Sequence, residues 1–165
     1  MYDSLFLDRD GVINNKLEGR YVTDFNEFKF IKNSDTAIVS LSKIFKRIFI
    51  VTNQQGIGKG IMSEKDLQLL HDNMQKKISS IESVITKIYF CPHLAEDLCK
   101  CRKPNIGMLE QAKVDFPDIK IDQSFLIGDS DSDIEAGKIF GLTTIKVDTT
   151  YTLNHWLKEI ILKWD

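Results

Sequence analysis

Short apolar runs, each stopped by a cluster of polar residues, recur along this chain. Leu5-Phe6-Leu7 ends in Asp8-Arg9-Asp10-Gly11, and Ile48-Phe49-Ile50-Val51 ends in Thr52-Asn53-Gln54-Gln55-Gly56. Ile88-Tyr89-Phe90 runs into Cys91, and Phe125-Leu126-Ile127 ends in Gly128-Asp129-Ser130-Asp131-Ser132-Asp133. Runs of this length, rich in β-branched and aromatic residues, read as buried strands. Thr144-Ile145-Lys146-Val147 reads as a last one. Between them the apolar period lengthens to that of a helix. Thr36 to Phe45 carries Ala37, Ile38, Leu41, Ile44 and Phe45 at helical spacing. Ser63-Glu64-Lys65-Asp66 opens a helix with a capping serine and an acidic first turn. Met108 to Phe116 and Asp133 to Phe140 are expected to be helices, the second closed by Gly141, where a left-handed residue is wanted. Leu153 to Trp164 is a further apolar-striped segment, expected to pack back on the body.

Strands alternating with helices predict an α/β fold with a doubly wound parallel sheet. In open sheets of this kind ligands bind beyond the carboxyl ends of the strands. Every polar cluster named above falls at such an end. If extended geometry persists through Arg9, Asp8 and Asp10 point the same way, and Gly11 lets the backbone turn behind them. Any one of these clusters could be a solvated acidic turn. Four of them converging on one edge are poorly explained as unrelated loops.

The segment Cys91 to Pro104 holds all three cysteines of the chain. Cys91, His93, Cys99 and Cys101 have the number and N/S mixture of ligands of a closed tetrahedral Zn²⁺ site. Free cysteines are often only small core residues, but core cysteines have no reason to crowd into one loop. Four protein ligands leave no open position, so the site is expected to be structural, fixing Arg102 and Lys103 where a rigid cation pair can meet an anion.

At 165 residues, 42% of them hydrophobic, the chain is expected to form one domain spanning residues 1–165. A net charge of −2 argues against a nucleic-acid surface. No stretch approaches the roughly 20 apolar residues of a membrane span. The first apolar run stops at Asp8, so no signal peptide is expected, and cysteines arranged for zinc imply a reducing cytoplasm. A monomer is expected.

Asp8-Arg9-Asp10-Gly11, Thr52-Asn53-Gln54, Lys103 and Gly128-Asp129 resemble the four motifs of the haloacid-dehalogenase (HAD) superfamily of phosphohydrolases. The zinc loop is similar to that of the branch containing heptose-bisphosphate and histidinol-phosphate phosphatases. The resemblance implies a HAD-like core and an aspartyl-phosphate mechanism. Asp8 would be the nucleophile and Asp10 the acid and then the base. Thr52 and Lys103 would stabilise the transferring phosphoryl group. Mg²⁺ would be held by Asp8, the Asp10 carbonyl and Asp129. Arg9, Asn53, Gln54, Lys59 and Arg102 would contact the substrate. Asp133 is expected to orient Lys103 or the Asp129 loop, and Asp131 to be solvated.

Segment lengths leave no room for a large cap domain, so the site is expected to be open and shaped by residues 15–21, 54–62 and the zinc loop. Such a site suits a small phosphorylated metabolite, and has space for a macromolecule's phosphorylated end. Of the two substrates that the resemblance implies, the loop cations Lys16, Arg20, Lys59 and Arg102 favour the sugar bisphosphate, D-glycero-D-manno-heptose 1,7-bisphosphate cut at C7. The wording of the zinc loop favours histidinol phosphate instead. A phosphoacceptor receiver domain, from another functional class, would leave Thr52-Asn53, Asp10 and the zinc loop without a task.

Overall fold

The structure, a computed structural model, describes residues 1–164. Five strands form one wholly parallel sheet: β1 (Tyr2–Leu7), β2 (Phe45–Asn53), β3 (Lys87–Cys91), β4 (Phe125–Gly128) and β5 (Thr143–Lys146). The spatial order is β3-β2-β1-β4-β5. The chain therefore leaves β1 to one side and returns to its other side at β4, which opens a crevice over the carboxyl ends of these two strands.

Five helices cover the sheet: α1 (Ser34–Leu41), α2 (Glu64–Ile78), α3 (Gly107–Asp115), α4 (Asp131–Phe140) and α5 (Leu153–Trp164). Because successive strand residues face opposite ways, β1 feeds two cores. Leu5 and Leu7 pack with Ile38 of α1, Met74 of α2 and Trp156 of α5. Phe6 packs with Leu109 of α3 and Ala136 of α4, together with Phe49 and Leu126 from neighbouring strands. Both faces are thus buried, as a parallel sheet requires.

The elements agree with the reading of the sequence except at the first helix and at the start of α4. Helix α1 stops at Leu41, and Phe45, expected in that helix, begins β2. Phe45 pairs with Tyr2 across the sheet and packs against Tyr2, Phe125 and Trp156. Burial in this aromatic cluster outweighs a spacing that suits a helix equally well. Helix α4 starts two residues earlier than expected, at Asp131, with Ser130 before it.

Candidate active site

Beyond Leu7 the amide of Asp8 still bonds to the Ile127 carbonyl, so the extended path continues past the end of β1. Alternation then decides three side chains at once. Asp8 and Asp10 border a cavity of about 240 Å³, while Arg9 turns inward and is 0% exposed. Three amides, those of Val12, Ile13 and Asn14, converge on the Arg9 carbonyl and curl the chain behind the pair. Gly11 makes the curl possible at a φ of 89°. A side chain there would also collide with Asp129, the new Cβ lying 2.3 Å from its Oδ2. Gly11→Ala is expected to cost about 1–3 kcal/mol in backbone strain and to displace Asp129. A lowered melting temperature and a fall in turnover of at least about tenfold would register it.

Lys103 closes the floor of the cavity at 4% exposure. Its ammonium donates to Asp8 Oδ1 at 2.9 Å and to the Val51 carbonyl at 2.7 Å, and forms an ion pair with Asp133 Oδ1 at 2.5 Å. Asn53 clamps the lysine backbone, accepting from its amide at 3.0 Å and donating to its carbonyl at 3.2 Å. Asp133 has a second task. Its Oδ2 accepts from the Ser130 amide and hydroxyl, which caps α4. Gly128 leaves room for it, since a Cβ at that position would fall 2.1 Å from the Asp133 Cβ. Asp131 is solvent-facing and pairs with Lys146.

The two carboxylates of the pair are electrostatically unlike. Burial pushes the Asp8 carboxyl up to about 7; Lys103 opposes this, and Asp133 and Asp10 add to it. Asp10 is pulled below its ordinary value: burial opposes the change, but the Arg9 guanidinium and hydrogen bonds from Asn14 and Gln54 prevail. Lys103 is held fully charged, because Asp8 and Asp133 outweigh the effect of burial.

Carboxylate oxygens of Asp8, Asp129 and Asp133 lie within 4.8 Å of one another, and the buried Asp129 Oδ1 has no hydrogen-bond partner. A hard, oxygen-seeking cation fits this crowding. Lys16 approaches the other Asp129 oxygen at 3.4 Å and separates the cavity from a larger one of about 750 Å³ beside it.

The zinc-type cluster assembles as expected. Cys91 is the last residue of β3 and pairs in register with Asn53, so the cluster sits beside the catalytic edge. The four donor atoms of Cys91, His93, Cys99 and Cys101 lie within 4.8 Å of one another. The sulfur of Cys101 is 2.9 Å from that of Cys91 and 3.6 Å from that of Cys99. These separations are far longer than a disulfide of about 2.05 Å, and approach the roughly 3.8 Å edge of a tetrahedron with 2.3 Å zinc–sulfur bonds. The cluster reaches the active site directly, since the Arg102 amide donates to Cys99 Sγ at 3.3 Å.

Three expected substrate contacts lie elsewhere. Arg9 is buried on Asp10 and His71. Gln54 is buried too, donating to Asp10 at 3.0 Å and to Thr52 Oγ1 at 2.9 Å. Both are inward-facing at strand ends, so they support the acidic pair from behind. Lys59 sits over the Tyr21 ring, 5.3 Å from its centre, in a separate groove. Thr52 is itself buried and does not border the cavity. Asn53 and Arg102 do border it.

Tyr21 and Gln55, from the two loops expected to shape the site but not singled out as contacts, complete the rim. Gln55 donates to the Tyr21 hydroxyl at 2.7 Å, and the ring lies against Gly56.

The profile of the polynucleotide kinase 3 phosphatase family matches residues 5–159. A D-glycero-alpha-D-manno-heptose-1,7-bisphosphate 7-phosphatase of Campylobacter jejuni is 43% identical over 138 residues, covering 81% of this chain and 75% of that one. A D-glycero-beta-D-manno-heptose-1,7-bisphosphate 7-phosphatase of Haemophilus influenzae is 37% identical over 145 residues, covering 83% and 76%. Among solved structures, the D,D-heptose 1,7-bisphosphate phosphatase of B. bronchiseptica, complexed with magnesium and phosphate, aligns with a TM-score of 0.88. That match has 25% identity and covers 98% of this chain and 99% of the other. With its paired aspartates, buried lysine and four-ligand loop arranged as described, the chain belongs to the HAD-type phosphatases, in the heptose-bisphosphate phosphatase branch.

Proposed function

We propose that the protein removes the C7 phosphate of D-glycero-D-manno-heptose 1,7-bisphosphate by way of a phosphorylated Asp8. Residues 1–165 act as one domain and as a monomer in the cytoplasm, with every group of the site supplied by a single chain. The observation that carries the reading is the buried triad of Asp8, Lys103 and Asp133 beneath a rim of cations.

Asp8 attacks phosphorus with one carboxylate oxygen, and the sugar oxygen leaves with a proton from Asp10. Asp10 then takes a proton from the water that opens the aspartyl-phosphate. The Arg9 and Gln54 contacts that lower Asp10 suit this second, basic step. In the first step the proton must come to Asp10 with the substrate, a phosphate monoester being able to bring one. Lys103 offsets charge on the transferring oxygens while Asp133 and Asn53 hold it in place. Thr52, buried beside Gln54, shapes the strand end from which the neighbouring Asn53 reaches the cavity.

Asp8, Asp129 and the Asp10 carbonyl are the groups to hold Mg²⁺, with Asp133 kept for Lys103. When bound, that ion supplies Lewis-acid neutralisation of the phosphate charge. Zn²⁺ belongs to Cys91, His93, Cys99 and Cys101, where its task is to fix Arg102 and Lys103. Cys101→Ser is expected to lose bound zinc, lower the melting temperature and raise KM together. Metal content by elemental analysis, alongside calorimetry, checks this; a zinc-free parent protein with full stability would contradict it.

Arg102 marks the second phosphate. Arg20 is paired with Glu27 and Lys16 with Asp129, whereas Arg102 makes no ion pair among the described residues. A guanidinium left unpaired on the cavity wall can take a phosphate bidentately. Histidinol phosphate, with an amine at its far end, gives Arg102 nothing to hold. Arg102→Ala should raise KM for the bisphosphate about 10–100-fold, the loss of a charged hydrogen-bonded contact, with little change for a simple monophosphate ester. The direct test is phosphate release from both anomers of the bisphosphate and from histidinol phosphate under identical Mg²⁺. A higher kcat/KM for histidinol phosphate would overturn the assignment.

A further inference from the structure

His71 has no part in the chemistry above, yet it is buried and tied to it. It lies on the inner face of α2, between Leu70 and Met74 at the core, and is 3% exposed. Its Nε2 is 3.1 Å from Nη1 of Arg9. Nη2 of the same guanidinium spans Asp10, at 3.0 Å from Oδ1 and 3.1 Å from Oδ2. A guanidinium has donors only. The His71 Nε2 must therefore accept, which places the ring proton on Nδ1.

The arrangement answers a geometric problem. Arg9 is completely enclosed, and its charged fork can swing about its long side chain unless both ends are held. Phe28 covers one side of the guanidinium, 5.9 Å from its carbon to the ring centre. Asp10 holds Nη2. Without an acceptor at Nη1 the fork would be anchored at one end only, and a second buried donor would stand unpaired beside Nε, which has no partner. Asn14 and Gln54 also reach Asp10, but each grips one oxygen, at 2.8 Å and 3.0 Å. The Arg9 contact reaches both oxygens from one nitrogen, and so shares with Asn14 and Gln54 in setting the rotation of the carboxylate.

We propose that His71 is a positioning residue for the proton-transferring carboxylate Asp10, acting through Arg9 and holding it to the rigid helix α2. This rests on the role given to Asp10 above. The reading predicts a kinetic signature that simple core packing would not produce. Loss of His71 should impair the step that needs a proton, and leave substrate binding alone.

The test compares His71→Leu and His71→Gln with the parent and with Asp10→Asn. Each is assayed by the rate of leaving-group release in a single turnover, since the later opening of the aspartyl-phosphate is common to all substrates. The substrates are the sugar bisphosphate, whose alkoxide leaves poorly, and p-nitrophenyl phosphate, whose phenolate leaves without help. His71→Leu should slow leaving-group release from the bisphosphate about tenfold or more, within the range of acid–base contributions. KM should stay within about twofold, and the loss on p-nitrophenyl phosphate should be much smaller. His71→Gln, whose amide oxygen can accept from Nη1, should recover most of the difference. Equal losses on both substrates, or a Gln variant no better than Leu at equal folded fraction, would overturn the proposal. If Asp10→Asn itself shows no dependence on leaving group, the Asp10 assignment falls and takes this one with it; if it does and the His71 variants do not, only the positioning role falls. Nitrogen NMR of the parent protein needs no variant: a bare Nε2 is expected, and a protonated Nε2 facing Arg9 would contradict the proposal.

Discussion

Asp8→Asn is expected to fold as the parent does and to release phosphate at least about 10⁴-fold more slowly, as nucleophile removals do elsewhere. The amide fills the same space but offers no nucleophilic oxygen. The substitution should also change the pH dependence of stability in a defined direction. Asp8 binds its proton more tightly in the fold than in the open chain, with its pKa moved from the ordinary 3.8 to about 7 by burial, against the pull of Lys103. Below the lower value the carboxyl is neutral in both states and costs nothing extra. As pH rises through this window the unfolded chain ionises first, so the parent loses stability relative to a variant without the group. The difference in melting temperature between Asp8→Asn and the parent, measured without added magnesium, should therefore grow from pH 4 to pH 7. A constant difference would show that Asp8 is not held in this environment.

Lys103→Met should damage the protein on two counts. Its ammonium is the shared partner of Asp8 and Asp133, and both are left facing each other when it goes. Removing one partner of a buried ionic group typically costs about 3–5 kcal/mol. Turnover should fall at least about 10³-fold as well, because the positive charge beside the transferring oxygens is lost. Lys103→Arg is not expected to restore either property. A guanidinium is larger and planar, and the site meets three acceptors around one nitrogen in an enclosed space. Chemical denaturation with a parallel kinetic assay checks both; a fully active Lys103→Arg would show that only charge matters.

Much of the site was legible because strand ends declare themselves. Asp8, Asn53, Cys91 and Asp129 each follow an apolar run, and a parallel sheet necessarily gathers such ends on one edge. The zinc-type loop was legible from the crowding of its donors, and contact with Lys103 was one of the two roles expected for Asp133.

What escaped the sequence was direction. Arg9 and Gln54 are polar residues beside catalytic ones, which suggests contact with substrate. Alternation along extended backbone instead sends them inward, where one stabilises Asp10 and the other bridges Asp10 and Thr52. Lys59 was misplaced for a different reason: its loop folds over Tyr21, a contact between segments 38 residues apart in sequence that no local pattern encodes. His71 lies in the apolar stripe of α2 and reads as an ordinary core histidine until Arg9 is seen in front of it. The first helix was drawn too long because Ile44 and Phe45 suit either period; only the aromatic partners of Phe45 decide for the strand.

The central claim is that Asp8 carries the phosphoryl group. Asp10→Asn protein, mixed with Mg²⁺ and p-nitrophenyl phosphate, whose phenolate needs no proton to leave, and quenched in acid, should accumulate the covalent intermediate because the base that opens it is missing. Peptide mass spectrometry should then find one added phosphoryl group on the peptide containing Asp8, and none when Asp8 is also replaced by Asn. No phosphorylated peptide at any quench time, while the parent protein turns over under the same conditions, would contradict the account, as would a label on any other residue.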